Sequence, residues 1–182
     1  MHKGKLSLIS MAVITALVSF FVPTANAAQS DTLNIRVTIT PSISVNIVET
    51  ELLLGSVNAG SATVSGGSVT VTNNGSGVNE TYSLSLSDPS GWTASQTAAG
   101  VDTYVLNAAF SSAAGGIAWN ESNHALSETL VASSVSKFAG DQTGANVPYN
   151  ETRKLWFQFK APTATGVSTE QAITITITAQ AI

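Results

Sequence analysis

The side chains that could perform chemistry are few in this chain, and their spacing assigns them no reaction. Cysteine is absent, which excludes thiolate nucleophiles, thiolate metal sites and disulfides. His124 is the one histidine after residue 27, so a zinc site built on a pair of histidines lacks its second ligand there. The surrounding residues are polar, and we expect His124 to lie in a loop with its side chain in solvent.

The acidic residues give a similar result. Glu49 and Glu51 are two positions apart and would point to the same face of an extended segment. Such a pair could begin a calcium site or act as an acid and a base, but no calcium-binding loop accompanies it, and we interpret it as a solvated pair at a strand end. No G-x-S-x-G nucleophile motif and no phosphate-binding loop occurs. We therefore predict that the protein is not an enzyme and holds no cofactor and no metal ion.

Trp156 is the one side chain that we single out as a ligand contact. Leu155, Phe157 and Phe159 alternate with it in a predicted strand, which places Trp156 on the opposite face. A tryptophan on an outer face can stack on a sugar ring, so cell-surface glycans are candidate partners. The interpretation that we favour is structural: Trp156 would cover the sheet or lie in a contact between subunits.

The N-terminal residues resemble a secretory leader. Lys3 and Lys5 precede an apolar run over residues 6–22, and Ala25-Asn26-Ala27 has the small-x-small pattern of a cleavage site. We predict a signal peptide over residues 1–27 and one domain over residues 28–182. A retained membrane anchor and a prepilin leader cut after Gly4 are the alternatives. The predicted location is extracellular or on the cell surface, without a stable membrane anchor.

The charge of the chain bears on its partners. The net charge is −4 at pH 7, and only 10% of the residues are charged. Nucleic acid is not expected as a partner, because binding a polyanion requires a concentrated basic face. Neutral polar residues take the place of the missing charges, and surfaces of this kind suit an extracellular protein that associates with copies of itself. We expect a homo-oligomer or a polymer.

A long alternating segment follows the predicted leader. The odd positions from 33 to 47 are aliphatic except for one proline, and the even positions are mostly polar; the odd positions are Leu33, Ile35, Val37, Ile39, Pro41, Ile43, Val45 and Ile47. Fully extended, the segment would span about 50 Å, which exceeds an ordinary strand. In the interpretation that we favour, the strand bends at Pro41 and serves two sheets.

The alternative interpretation concerns assembly. Residues 28–40 would form a donor strand that leaves its own subunit and completes a sheet of a neighbouring copy. Its four aliphatic side chains would fill a groove there; they are Leu33, Ile35, Val37 and Ile39. A head-to-tail contact of this kind does not close on itself, so it produces a fibre.

The rest of the chain has the same period of two. Alternation over residues 69–72, 82–87, 104–110, 155–159 and 173–181 predicts further strands. The turn-forming residues 73–77 predict either a hairpin or a connection between two sheets. Residues 125–138 fit a short helix or a strand followed by a loop. The predicted fold is all-β, an antiparallel two-sheet sandwich of seven to nine strands, immunoglobulin-like or jelly-roll-like.

The motifs LGSV at residues 54–57, Gly60 and VTVTNNG at residues 69–75 carry one resemblance. This region resembles the opening of immunoglobulin-like β-sandwich modules on prokaryotic cell surfaces, and it is similar to the same region of the TasA and camelysin family of secreted matrix-fibre proteins. The resemblance implies a sandwich fold and an extracellular location. The metalloprotease activity ascribed to camelysin-like proteins is not carried over, because no metal-ligand motif matches.

These observations lead to two functional hypotheses. The first is a structural protein of the cell surface or extracellular matrix that assembles with itself, as a filament subunit joined by donor-strand complementation. The second is a monomeric, adhesin-like module that binds carbohydrate or a surface protein. The position of the N-terminal strand distinguishes the two hypotheses, since a strand bound to its own domain would leave no donor.

Overall fold

The structure is a computed structural model that describes residues 32–182; the predicted signal peptide and residues 28–31 lie outside the described residues. The chain divides into two units, Met1–Thr38 and Ile39–Ile182. Within the first unit, residues 32–38 form neither helix nor strand. All the regular secondary structure of the described chain belongs to the second unit.

The described residues contain nine strands and two short helical turns. The strands are β1 (Val45–Ile47), β2 (Ala62–Val64), β3 (Val69–Asn73), β4 (Glu80–Ser87), β5 (Thr93–Ala94), β6 (Thr103–Phe110), β7 (Val131–Ala132), β8 (Thr152–Lys160) and β9 (Thr174–Ala181). A 3-10 turn covers Ala114–Gly116, and a single α-helical turn, α1, covers Glu121–His124. The prediction of an all-β protein is therefore confirmed.

The strands form two sheets. In the first sheet the order is β1-β3-β8-β6-β5, and β2 pairs with the part of β8 that β3 leaves free. In the second sheet the order is β7-β4-β9. All these pairs are antiparallel except β5 with β6, a two-residue parallel pair. The two-sheet arrangement agrees with the predicted sandwich.

The core lies between the sheets and consists of alternate residues of the strands. The inward residues of β3, β4 and β8 are Val69, Val71, Tyr82, Leu84, Leu86, Leu155, Phe157 and Phe159, all of them buried. Successive side chains of a strand point to opposite faces, so the period of two in the sequence becomes one buried face for each strand. Each such side chain contributes about 1.5–3 kcal/mol when it is fully buried.

The connection between β3 and β4 crosses from one sheet to the other, which decides between the two interpretations of residues 73–77. Gly77 adopts a φ of 70°, a conformation that side chains with a Cβ rarely occupy. At Gly75 a Cβ atom would lie 2.5 Å from the carbonyl oxygen of Ser42 and 2.7 Å from Oε1 of Glu80. Glycine is required at residue 75 because the chain before β1 packs directly against this connection.

The long strand predicted over residues 33–47 is present only as β1, and residues 32–44 form no strand. Residues 42–44 are instead held by the β3–β4 connection. Ser42 donates its N–H to Oγ of Ser76 and accepts the N–H of Ser76 on its carbonyl oxygen, both at 2.8 Å. Pro41, which has no N–H to donate, immediately precedes these bonds. The favoured interpretation, a strand that bends at Pro41 and serves two sheets, was therefore wrong, because residues 33–44 form no strand.

Residues 125–138, which the sequence left open between helix and strand, contain the short strand β7 followed by a loop. This loop ends at Phe138, which is fully buried in the core. The helical turn α1 lies just before the segment, where the side chain of Asn120 accepts the N–H of Asn123 and caps it.

Candidate assembly surface

The four side chains predicted to form an assembly interface are exposed to solvent. The exposed fraction is 85% for Leu33, 79% for Ile35, 76% for Val37 and 83% for Ile39. Aliphatic side chains of this size gain about 1.5–3 kcal/mol each when they are removed from water. A run of four at alternate positions is therefore a surface that gains free energy from burial against a partner.

A second surface that bears on assembly is β9, which the sequence predicted as a strand. It lies at the end of its sheet and pairs with β4 along all eight residues, from Ser87 opposite Thr174 to Glu80 opposite Ala181. Its other side has no strand partner within residues 32–182. The side chains of β9 alternate between exposed and half-buried, because the inward ones lie at the margin of the core.

Trp156 lies on the outer face of the first sheet, as predicted, and is partly buried there. Its Nε1–H donates to the carbonyl oxygen of Ser111 at 2.9 Å. This bond satisfies the only hydrogen-bond donor of the indole, so a ligand at Trp156 would contact the ring alone. The contact with Ser111 fits the structural interpretation, and the glycan contact stays a prediction.

The prediction that His124 is solvated was wrong. Its exposed fraction is 3%. Nδ1 accepts the N–H of Asn120 at 3.1 Å, and Nε2 lies 3.1 Å from the carbonyl oxygen of Ala139. The edge of the Trp119 ring also packs on the imidazole, with 5.6 Å between ring centroids. The capped turn α1 directs the side chain inward, and both ring nitrogens are already used, so neither is free for a metal or a substrate proton.

His124 and Gly140 border an open cavity of about 360 Å³. The other lining residues are small or polar, and they are Gly116, Ala118, Asn120, Asn123, Val135, Ser136 and Ala139. No aspartate, glutamate, lysine or arginine side chain is among them. His124 is the lining side chain best suited to acid–base chemistry, and both of its ring nitrogens already have backbone partners.

The interpretation of Glu49 and Glu51 as a solvated pair was wrong for Glu49. Its carboxylate accepts the backbone N–H of Thr70 at 2.6 Å and the hydroxyl of Thr70 at 2.9 Å. The backbone hydrogen bond from Thr70 lowers the pKa of Glu49 below its ordinary value. Glu51 is exposed. Glu49 thus holds the segment after β1 against β3, and the two carboxylates form no joint site.

Glu80 is a buried carboxylate that the sequence analysis missed. Its side chain has no exposed surface, and Oε1 accepts the N–H of Ser44 at 2.8 Å. The sequence could have shown this, because Glu80 lies two residues before Tyr82 and therefore on the same, inward face of β4 as Tyr82 and Leu84. Glu80 is the first residue of β4, so its bond to Ser44 attaches residues 42–44 to the second sheet.

Two further findings concern the described part of the chain. No group of three or more histidine, aspartate or glutamate side chains there could hold a metal ion. Among the helices of residues 32–182, none has the length and apolarity to cross a membrane.

Comparison with known proteins leaves the chain without an assigned family. No protein-family model matches the sequence, and no curated protein matches it.

Proposed function

We propose that this protein is a secreted, non-enzymatic structural subunit of the cell surface or extracellular matrix. It assembles with copies of itself into filaments, and residues 33–39 of one copy act as the donor strand for the next. The observation that carries this proposal is the exposure of the four aliphatic side chains at Leu33, Ile35, Val37 and Ile39, each above three quarters.

The hydrogen bonds just after this segment support its role as a donor. Ser42 and Ser44 are bound to Ser76 and Glu80, so residues 42–44 are fixed to the sandwich. The donor segment thus ends a few residues before a fixed point, which transmits the attachment from one subunit to the next. Pro41 separates the two parts because it cannot continue a hydrogen-bonded ladder in both directions.

The composition supports the same function. Charged residues make up 10% of the chain, and the strand β9 contains none. Low charge reduces repulsion between copies that stack in an assembly, whereas a soluble monomer usually keeps a more charged surface. An immunoglobulin-like sandwich, a cleaved leader and kinship with the TasA and camelysin matrix proteins belong to this proposal as expectations.

Microscopy and chromatography of two forms test the proposal. Residues 28–182 are compared with a form that lacks residues 28–40, by size-exclusion chromatography and negative-stain microscopy. The shorter form keeps Ser42 and its bonds. We expect filaments or large oligomers from the longer form and a folded monomer from the shorter one. Monomers from both forms would refute self-assembly and favour the alternative, a monomeric carbohydrate- or protein-binding module that uses Trp156.

A matched pair of substitutions separates the donor face from the segment as a whole. Val37→Asp places a charge among the aliphatic side chains, whereas Thr38→Asp places the same charge on the opposite face of the same segment. We expect Val37→Asp to abolish assembly and Thr38→Asp to preserve it. Equal loss in both variants would mean that the two faces are not distinguished, against the donor-strand mechanism.

A further inference from the structure

Along β9, every second residue directs its backbone N–H and C=O groups to β4, and the residues between direct theirs to the free side. On β4, the N–H groups of Glu80, Tyr82 and Leu86 donate away from β9, to Val147, Gly144 and Ser127 at 2.8–2.9 Å. The odd residues of β4 therefore face β9, and their partners are the even residues Thr174, Thr176, Thr178 and Gln180. The N–H and C=O groups of Ile175, Ile177, Ala179 and Ala181 consequently point to the free side.

Nothing in the sequence of β9 protects this edge against pairing. Exposed edges are commonly blocked by a charged residue, a proline, a bulge or a short length. β9 has eight residues, TITITAQA, without a charge or a proline, and its register with β4 is unbroken. An edge of this kind is a template for another strand.

The side chains at the edge also lack a neighbour on that side. Ile175 and Ile177 pack against the core and are only half-buried. β1, the edge strand of the first sheet, contacts β9 across the sandwich, and its inward residue Val45 is likewise half-buried. The inward side chains at the edges β1 and β9 are therefore only partly covered, and one more strand on the second sheet would add cover to those of β9.

We propose that the free edge of β9 is the acceptor for residues 33–39 of a second copy of this chain. This inference rests on the proposed function and names the acceptor surface of the assembly. The segment has seven residues, and the span from Ile175 to Ala181 also has seven. Residues directly opposite each other in neighbouring strands share a face. With Arg36 opposite Thr178, the four odd residues of each strand coincide on the inner face.

This register is chemically consistent on both faces. On the inner face, Leu33, Ile35, Val37 and Ile39 extend the apolar row that Ile175 and Ile177 begin at the open margin of the core. On the outer face, Asn34, Arg36 and Thr38 lie beside the exposed Thr176, Thr178 and Gln180. A register shifted by one residue would place Arg36 in the core and the aliphatic residues in water.

The occupant is a second copy because a donor and an acceptor on the same chain, joined between copies, make a contact that repeats without closing. Two other occupants of the edge are physically reasonable and give different results in the test. One is the same segment of the same chain. The other is a second β9, which would pair edge to edge as a symmetric dimer.

Disulfide cross-linking between single-cysteine variants tests the proposal. The natural chain has no cysteine, so any disulfide forms only at introduced positions. Arg36 and Thr178 are at the centres of the two segments, so they oppose each other whether the strands run parallel or antiparallel. In an antiparallel pair this position is non-hydrogen-bonded, with Cα atoms about 4.5 Å apart, which lies within the range that a disulfide spans.

The full chain carrying Arg36→Cys is mixed with the full chain carrying Thr178→Cys, oxidised, and analysed by non-reducing electrophoresis and peptide mass spectrometry. The control partner is Ala179→Cys, whose side chain lies on the inner face. We expect a mixed dimer from the first pair at a yield at least about tenfold above that with the control, because the two Cβ vectors must point to one face.

Each other outcome overturns the acceptor assignment. Thr178→Cys dimers without the Arg36→Cys partner would identify β9 pairing with β9. A monomer with an internal disulfide, formed by a chain that carries both Arg36→Cys and Thr178→Cys, would identify docking within one chain. Filaments of the unmodified chain without the mixed cross-link would leave the proposed function standing and place the acceptor elsewhere. Absence of both filaments and cross-links would overturn the proposed function as well.

A proline substitution gives an independent test without oxidation. Ala179→Pro removes an N–H that points to the free side, so the ladder between β4 and β9 keeps its bonds. We expect this variant to fold with an unchanged melting temperature, within a few degrees, and to remain monomeric; Ala179→Val should still assemble. Assembly of Ala179→Pro at the level of the parent would count against β9 as the acceptor.

Discussion

The strands β6 and β9 have the same length and opposite surroundings. β6 has seven of its eight residues buried, on both of its faces, whereas β9 alternates half-buried and exposed residues along its length. β6 lies inside its sheet, between β8 and β5, and β9 lies at an edge. The comparison teaches that position in the sheet, more than a strand's own composition, decides whether it can bind another chain.

The outer face of β6 is buried because another part of the chain covers it. Val105, Asn107 and Ala109 point away from the core, and each has no exposed surface. The helical turn α1 packs on β6, and the N–H of Leu126 donates to the carbonyl oxygen of Leu106 at 2.9 Å. An ion pair between Lys160 of β8 and Glu121 of α1 also joins this cover to the sheet.

The largest expected effect comes from a large-to-small substitution in β6. Phe110 is fully buried, and its ring packs 6.0 Å from the ring of Tyr82 between centroids. Phe110→Ala should lower the free energy of unfolding by about 3–5 kcal/mol, through lost burial and the cavity left behind. Ile177→Ala on the half-buried face of β9 should lower it by less than about 2 kcal/mol. Urea unfolding of the monomeric proteins measures both. Equal losses of unfolding free energy in the two variants would mean that β6 and β9 do not differ in how well their side chains are packed.

An intermediate effect is expected at Gly144, whose loop closes the second edge of β4. Its carbonyl oxygen accepts the N–H of Tyr82 at 2.8 Å. A Cβ atom there would lie 2.8 Å from Cζ of Phe110 and 2.7 Å from Oγ of Ser133. Gly144→Ala should therefore cost about 1–3 kcal/mol by overpacking and increase hydrogen exchange at the Tyr82 amide.

The matched control for that substitution is Gly116→Ala, since a Cβ atom at Gly116 meets nothing within 4 Å. We expect a change within about 0.5 kcal/mol there. Similar losses in the two alanine variants would mean that contacts at Gly144 do not hold the loop on β4. The part of β4 beside Tyr82, which β7 does not cover, would then be open like the edge of β9.

The smallest effect is expected for the ion pair between Lys160 and Glu121, which joins β8 to α1, and this effect depends on pH. The hydrogen bond from Lys160 lowers the pKa of Glu121 below its ordinary value of 4.5. Folding thus favours the ionised carboxylate, and its contribution is present above pH 4.5 and is lost as the pH falls through the lowered pKa. Because both side chains are partly exposed, we expect about 0.2–1 kcal/mol.

Urea unfolding between neutral and acid pH measures this contribution. Glu121→Gln should reduce stability near neutral pH and flatten the loss on acidification. Glu170→Gln is the control, because the carboxylate of Glu170 is exposed and has no ion pair within residues 32–182. An acid limb that Glu121→Gln leaves unchanged would show that the ion pair does not stabilise the cover.

Much of the fold could be predicted from alternation alone, and the failures have physical causes. β9 and the inward face of β8 follow directly from aliphatic residues at every second position. β6 was predicted as a strand, but the sequence does not reveal that another segment covers its outer face. That face consists of Val105, Asn107 and Ala109. Burial of His124 was missed because a polar local sequence does not reveal the distant carbonyl of Ala139 that binds its ring.

The proposed assembly surface also has one part that the sequence predicts and one part that it does not. The segment proposed as the donor is visible in the sequence, because aliphatic residues at every second position are a local feature. Residues 33–44 were predicted as part of a strand, yet a strand needs a neighbouring strand to pair with, and in this segment only residues 45–47 pair with one. The proposed acceptor depends on which strands are neighbours in the sheet, so alternation alone does not locate it.

By itself the sequence determined the all-β class and the location of most strands, since side-chain direction alternates along any extended chain whatever surrounds it. Only the tertiary structure decided that β3 and β4 belong to different sheets, that β6 is covered on both faces and that β9 has an open edge. Those properties depend on pairings between residues far apart in the chain, such as Glu80 with Ala181, which no local pattern specifies.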